Sequence, residues 1–192
     1  LERSDFSGST FLGELGVRIT PQFDVVASVG RVSSSARSVS RTHEPFEGEP
    51  PIAQSTSLRR TPVTATLKYY PLSRGHSIGS NAWIPARLTP FIGIGGGALN
   101  YDLEQSGEFV DYQDCDEANV CTVFPATFTS EGWTKTLHVT GGADYWLTTR
   151  LGVSAEMRYQ WASAPLGPSF LGGFDDIDLR GFQGTVGLSV RF

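Results

Sequence analysis

The last twelve residues, 181–192, alternate strictly between two kinds of side chain. Because side chains of a β-strand point alternately to its two faces, this pattern predicts a strand with two chemically different faces. One face is mostly large and apolar, and the other is small or polar. The apolar face holds Phe182, Gly184, Val186, Leu188, Val190 and Phe192, and the polar face holds Gly181, Gln183, Thr185, Gly187, Ser189 and Arg191.

Six earlier segments alternate in the same way, so the sequence predicts seven strands. The six segments are residues 11–20, 23–32, 61–70, 88–102, 132–147 and 151–161. Short turns at residues 20–22 and 148–150 contrast with long loops at about 33–60, 103–131 and 163–177. We therefore expect a single all-β domain over residues 1–192, folded as an antiparallel up-and-down β-barrel.

The composition excludes two classes of protein. The mean hydropathy is -0.15, and no apolar run approaches the roughly 18 residues of a spanning helix, which excludes a helical membrane protein. A transmembrane β-barrel is still allowed, because alternating strands have the average hydropathy of a soluble protein. The net charge of -5 argues against a nucleic-acid partner.

Alternation alone does not decide which face points inward, since a soluble barrel with an apolar interior has the same pattern. Three asymmetries favour an apolar exterior: the mid-strand apolar faces carry no charge, aromatic residues form two girdles near the strand ends, and loop lengths alternate. The girdles are Phe23, Tyr69, Tyr145 and Phe192 at one level, and Phe11, Trp133, Tyr159, Trp161 and Phe182 at the other. The opposite faces hold eight charged residues, for which we expect a buried ion-pair network in the lumen: Glu14, Arg18, Asp24, Lys68, Asp144, Glu156, Arg158 and Arg191.

Three stretches resemble the small eight-stranded bacterial outer-membrane barrels of the OmpA and OmpX type. They are TPFIGIGGGALNYD at 89–102, LTTRLGVSAEMRYQW at 147–161 and GTVGLSVRF at 184–192. The resemblance implies a transmembrane barrel in the bacterial outer membrane with its C-terminus on the periplasmic side. Its surroundings would then be outer-membrane lipids and lipopolysaccharide.

Seven strands do not match the even number of bacterial single-chain barrels. We expect an eighth strand before Leu1, with residues 1–10 as the tail of an outer loop. Two alternatives are a short strand within 71–87, near Ile78 to Ile84, and a gap filled by a partner chain.

The long loops hold the remaining chemical features. Cys115 and Cys121 favour a local disulfide in an oxidising compartment over two free thiols. The segment 102–131 carries eight carboxylates and no Lys or Arg, which suits either plain solvation or cation binding and bridging to lipopolysaccharide. Arg31, Arg37, Arg41, Arg59 and Arg60 lie among serines and suit either phosphate contacts or free solvation.

These features predict an outer-membrane barrel with a lumen filled by side chains and a structural or interaction role carried by its outer loops. A narrow channel or carrier for small or amphipathic solutes is the second interpretation, and a lipid A-modifying enzyme is the third. His138 with Asp144 is a packed lumen pair rather than a catalytic dyad in this interpretation. We expect no organic cofactor or metal centre.

Overall fold

The computed structural model describes residues 8–39, 52–78, 82–115, 121–167, 170 and 176–191, which form β-strands and their connections. Eleven strands follow one another along the chain: β1 (Gly8–Arg18), β2 (Phe23–Val39), β3 (Ala53–Tyr69), β4 (Gly75–Ile78), β5 (Ala82–Pro85), β6 (Leu88–Cys115), β7 (Cys121–Trp146), β8 (Leu151–Trp161), β9 (Ser163–Ala164), β10 (Ile177–Asp178) and β11 (Gly181–Val190). In these ranges no helix is long and apolar enough to cross a membrane.

The predicted all-β fold class is confirmed. Seven strands form one antiparallel sheet in the order β1-β2-β3-β6-β7-β8-β11, nearly closed into a barrel. The strands alternate in direction, so the two edge strands β1 and β11 run the same way. Among the described residues, β1 pairs only with β2, and β11 pairs only with β8. A regular antiparallel closure therefore requires one more strand between them, and the predicted strand before Leu1 stays a prediction.

The hairpins are longer than the sequence predicts. The expected loops at 33–60 and 103–131 are wrong in their bounds, because β2 continues to Val39, β3 begins at Ala53, β6 continues to Cys115 and β7 begins at Cys121. Above residue 32 both faces of β2 become polar, so the apolar alternation that marks a strand disappears while the backbone pairing continues to Val39 opposite Ala53. Residues 40–51 and 116–120 lie outside the described part of the chain.

Two small sheets accompany the barrel. Within 71–87, β4 pairs with β5, so the suspected short strand exists but belongs to a separate two-stranded sheet and adds nothing to the barrel. Within the predicted loop 163–177, β9 pairs with β10 through Ala164 opposite Ile177. We call the end of the barrel with turns 19–22 and 147–150 the turn end, and the opposite end, with the long β2-β3 and β6-β7 pairs, the hairpin end.

The barrel is apolar outside and polar inside. Large apolar side chains stay exposed along the outward faces, including Leu15 at 69%, Ile94 at 64% and Leu188 at 78%. Inward charged residues are buried, among them Lys68 at 4% and Arg158 at 3%. The expectation of a charge-free outward face needs one correction, because Lys135 is exposed on β7 between Trp133 and Leu137. Its position toward the hairpin end lets a long side chain reach past the apolar belt.

Aromatic residues flank this apolar belt. Phe23 and Tyr69 lie opposite each other at the turn end, with ring centroids 5.1 Å apart. Nearer the hairpin end, Tyr159 and Trp161 pack edge to face at 4.7 Å. Phe192 lies outside the described residues.

Glycines on the inward face of β6 make room for larger side chains from neighbouring strands. A Cβ added at Gly95 would lie 2.6 Å from His138 Nε2 and would also meet the Ala65 carbonyl oxygen. Gly184, on the outward face of β11, has no other residue's atom within 4 Å of its added Cβ. The two positions therefore differ in the space available for a side chain, although both lie in strands.

We expect Gly95→Val to lower the free energy of unfolding by about 1–3 kcal/mol, because the interior cannot accept the added volume. Gly184→Val is the control and should leave stability unchanged or raise it. Denaturant titration monitored by tryptophan fluorescence measures both. Equal stability of the two variants would show that the interior around His138 is not closely packed.

Candidate functional site

Four charged side chains form a closed ring of ion pairs inside the barrel. Lys68 Nζ on β3 lies 3.1 Å from Glu14 Oε2 on β1 and 2.6 Å from Glu156 Oε2 on β8. Arg158 Nη2, also on β8, lies 3.1 Å from Glu14 Oε1 and 3.0 Å from Glu156 Oε1. Positive and negative groups alternate around the ring, and each carboxylate oxygen faces one cation. The ring joins three strands that are distant in sequence.

The ring is buried, and its charges balance. The side chains of Lys68, Glu156 and Arg158 are only 3–5% exposed, whereas Glu14, on an edge strand, is 29% exposed. Two cations and two carboxylates leave the ring without a net charge. Since an uncompensated buried charge costs several kcal/mol, the four groups depend on one another. Lys68 Nζ also lies 4.4 Å from the centroid of the Phe91 ring, which closes another side of the ammonium group.

His138 lies beside this ring but does not pair as expected. Its Nε2 is 2.8 Å from Thr66 Oγ1, and both residues are 1% exposed. The predicted lumen pair of His138 with Asp144 is wrong, because Asp144 Oδ2 accepts a hydrogen bond from Tyr70 at 3.3 Å instead. The inward position of His138 opposite Gly95 explains how an imidazole fits here.

A second polar cluster fills the turn end of the lumen. Arg74 Nη1 and Nη2 donate to the two carboxylate oxygens of Asp24 at 2.6 and 2.7 Å, a bidentate pair that is buried on both sides. The Arg74 guanidinium also lies 3.8 Å from the Tyr70 ring centroid. Arg74 belongs to the connection after β3, where no strand period assigns a face. The sequence did offer one indication of this cation, because the inward carboxylate of Asp24 requires a positive group nearby.

The eight charged residues predicted for the lumen thus separate into two groups. Glu14, Lys68, Glu156 and Arg158 meet in the ring. Asp24 and Asp144 belong to the turn-end cluster, where Arg191 stacks 4.0 Å from the Trp146 ring and Arg18 lines the cavity with Asp24. Arg74 and Tyr70 complete this cluster and were missed by the sequence reasoning.

An apolar layer closes the hairpin end of the interior. Its buried members are Leu58, Leu99, Tyr101, Leu103, Ala162, Ala164 and Leu179. They come from β3, β6 and the residues that connect β8 to β11, and Arg60 Nη1 donates to the Leu179 carbonyl at 3.3 Å. Outside this layer, Arg180 forms a bidentate pair with Asp178 at 2.8–2.9 Å. The Asp178 carboxylate raises the pKa of the exposed Arg180 guanidinium.

A cavity of about 1550 Å³ runs along the seam between β1 and β11. Inward residues of both edges line it, including Thr10 and Glu14 on β1 and Gln183 and Thr185 on β11. The space lies where the missing strand of a regular barrel would stand. It opens laterally between the two edge strands, and its lining reaches from Arg18 and Arg191 at the turn end to Leu58 and Leu103 at the hairpin end.

No cluster suited to a metal ion appears in the described ranges, where no three His, Cys, Asp or Glu residues converge. The acidic residues of the β6-β7 hairpin are spread along two strands. Cys115 and Cys121 lie opposite each other across β6 and β7.

Comparison with known proteins found no match to the chain among family models, curated proteins or solved structures. Functional inference therefore rests on the geometry of this molecule.

Glu156→Gln should lower the free energy of unfolding by about 3–5 kcal/mol, because it leaves the buried ring with an excess positive charge. Adding Lys68→Met restores the charge balance around Glu14 and Arg158, so the double variant should recover part of the loss. Denaturant titration of both variants measures this coupling. Glu104→Gln, at an exposed position, should change stability by less than about 0.5 kcal/mol. A double variant that is less stable than Glu156→Gln would contradict mutual neutralisation in the ring.

Proposed function

We propose that this protein is a transmembrane β-barrel of the bacterial outer membrane with a polar lumen filled by side chains. Its role is structural or carried by the outer hairpins, which contact lipids, lipopolysaccharide or a protein partner. The OmpA and OmpX resemblance supports the same interpretation through sequence pattern alone.

The proposal rests on the distribution of polarity, because the barrel is apolar outside and polar inside. Exposed apolar side chains surround the sheet on every strand of the barrel, whereas charged residues such as Lys68, Glu156 and Arg158 point inward and pair. A water-soluble monomer rarely exposes a continuous apolar surface of this kind. In hydrocarbon the same surface is favourable, and the hydrogen-bond ladders between neighbouring strands satisfy the backbone except at the edges of β1 and β11. The soluble-barrel alternative would need the opposite arrangement of faces.

The seam also bears on a membrane location. Unpaired backbone groups in hydrocarbon cost several kcal/mol each, so the edges of β1 and β11 must be covered there. A strand antiparallel to both edges meets this requirement. The eighth strand that the strand count predicts, or a strand from a partner chain, would supply it.

The lengths of the hairpins support one orientation of the barrel in the membrane. Outer-membrane barrels have short turns on the periplasmic side and longer loops outside. The turn end, where β11 finishes, is then periplasmic, and the β2-β3 and β6-β7 hairpins extend outward. The cross-strand position of Cys115 and Cys121 supports a disulfide near the outer tip of the β6-β7 hairpin, which suits an oxidising compartment.

The filled lumen favours a plug over a channel. From the turn end, the turn-end cluster, the ion-pair ring and the apolar layer succeed one another along the interior, beside the cavity at the seam. An ion crossing this path would have to replace several charge-assisted hydrogen bonds. An enzymatic role is also disfavoured, because His138 is buried against Thr66 and a substrate cannot reach it.

A charge placed on the apolar belt tests the membrane proposal. Ile94→Arg should reduce the stability of the protein folded in lipid bilayers by about 2–4 kcal/mol, because Ile94 lies mid-strand on the outward face. Ser35→Arg, outward on β2 but beyond the belt, is the control and should cost little. Denaturant titration of each variant in lipid vesicles compares the two.

A soluble barrel would give the opposite result. Ile94 is 64% exposed, so in water an arginine there should be tolerated and should improve solubility. Equal stability of Ile94→Arg and Ser35→Arg, together with extraction without detergent, would refute the membrane location.

A further inference from the structure

We propose that Arg31 and Arg59 form an outward-facing site for the phosphate of a membrane lipid headgroup. This inference rests on the proposed membrane location and adds a specific contact to it. Both side chains are exposed, and they lie on the adjacent strands β2 and β3.

The register brings the two arginines together. Ser33 on β2 is directly opposite Arg59 on β3, and Arg31 lies two residues from Ser33 on the same face. Diagonal neighbours of this kind are roughly 7–8 Å apart at their Cα atoms, within reach of one anion for two long side chains. Ser33, which is exposed on the same face opposite Arg59, adds a hydroxyl donor next to the two arginines.

The pair lies where the apolar belt ends. Val29 and Val63 face each other across β2 and β3, and they are 55% and 46% exposed. Arg31 is the next outward residue of β2 after Val29, and it is in register with Phe11, which is 78% exposed. An arginine immediately beyond hydrocarbon and beside a girdle aromatic is at headgroup level.

The chemistry of the site favours a phosphate group. Guanidinium groups bind phosphate through paired N–H donors, and two of them can contact different oxygens of one group. Arg37 and Ser35, also outward, continue the polar surface toward the hairpin tip. A lipid is favoured over a free anion, because its acyl chains would lie on the adjacent apolar belt.

One acidic side chain contacts the site but does not block it. Asp102 Oδ2 lies 3.7 Å from Arg59 Nη1, with side chains 43% and 57% exposed, and an ion pair this long and solvated is weak. Glu104, the next outward residue of β6, lies opposite Ser57 and does not face Arg31. A phosphate can therefore displace the Asp102 contact.

The test compares lipid binding by three forms of the full chain in detergent: the native protein, Arg31→Gln/Arg59→Gln, and the control Arg87→Gln/Arg150→Gln. The control removes two exposed arginines near the turn end. The probes are lipopolysaccharide and the same lipopolysaccharide after enzymatic removal of its phosphates, with binding measured by native mass spectrometry. Inorganic phosphate is added as a competitor in a separate arm.

The native and control proteins should prefer the phosphorylated lipid. Arg31→Gln/Arg59→Gln should lose about 25-fold in affinity for it, since each arginine near the surface contributes about fivefold. A preference retained by this variant, or absent from the native protein, would overturn the phosphate site. Displacement of the lipid by equimolar inorganic phosphate would overturn the choice of a lipid.

Insertion into vesicles is measured for all three forms before binding. Failure of the native protein to insert would overturn the membrane proposal and this inference with it. Normal insertion without a phosphate preference would overturn this inference alone.

Discussion

The ring of Lys68, Glu14, Arg158 and Glu156 is the interaction on which the rest of the structure depends. It connects β1, β3 and β8 across the lumen, so strands that never pair directly are still held at fixed distances. Each member pairs with the two members of opposite charge. Because buried charges tolerate no partial arrangement, the ring also selects one register for the strands that carry it.

The remaining interior follows from the need to fill space around this ring. On one side, Phe91 and the inward glycines of β6 adjust the volume available to Lys68 and His138. Toward the turn end, Asp24 and Arg74 neutralise each other, and toward the hairpin end the apolar layer takes over. The outward face has no comparable constraint on side-chain shape. In the proposed bilayer, apolar side chains of many shapes are equally favourable against fluid lipid.

The strand positions and the inward or outward direction of each side chain could be predicted from the sequence. A period of two is a local property, so the faces of Leu188 and Ser189 follow without any knowledge of their neighbours. The strand extensions above residue 32 were missed, because polar residues on both faces remove the alternation. Lys135 was missed as an outward charge among apolar neighbours.

Pairwise contacts could not be predicted, since they depend on register between strands. The eight charged residues were recognised as inward groups, but the pattern does not say that Glu14 meets Lys68 or that Asp24 meets Arg74. The diagonal placement of Arg31 and Arg59 on β2 and β3 also depends on register. Both results required the three-dimensional arrangement.

The central claim is that lipid surrounds the outward face, and spin-label accessibility tests it most directly. Labels are placed at Leu67, Ile94 and Val139, which form one outward row across three strands, and at Ser35 beyond the belt, after Cys115 and Cys121 are replaced by serine. In reconstituted vesicles, the row should be accessible to oxygen and shielded from a water-soluble nickel complex, whereas Ser35 should show the reverse. Equal access of the nickel complex to the row and to Ser35 would contradict a lipid-facing exterior.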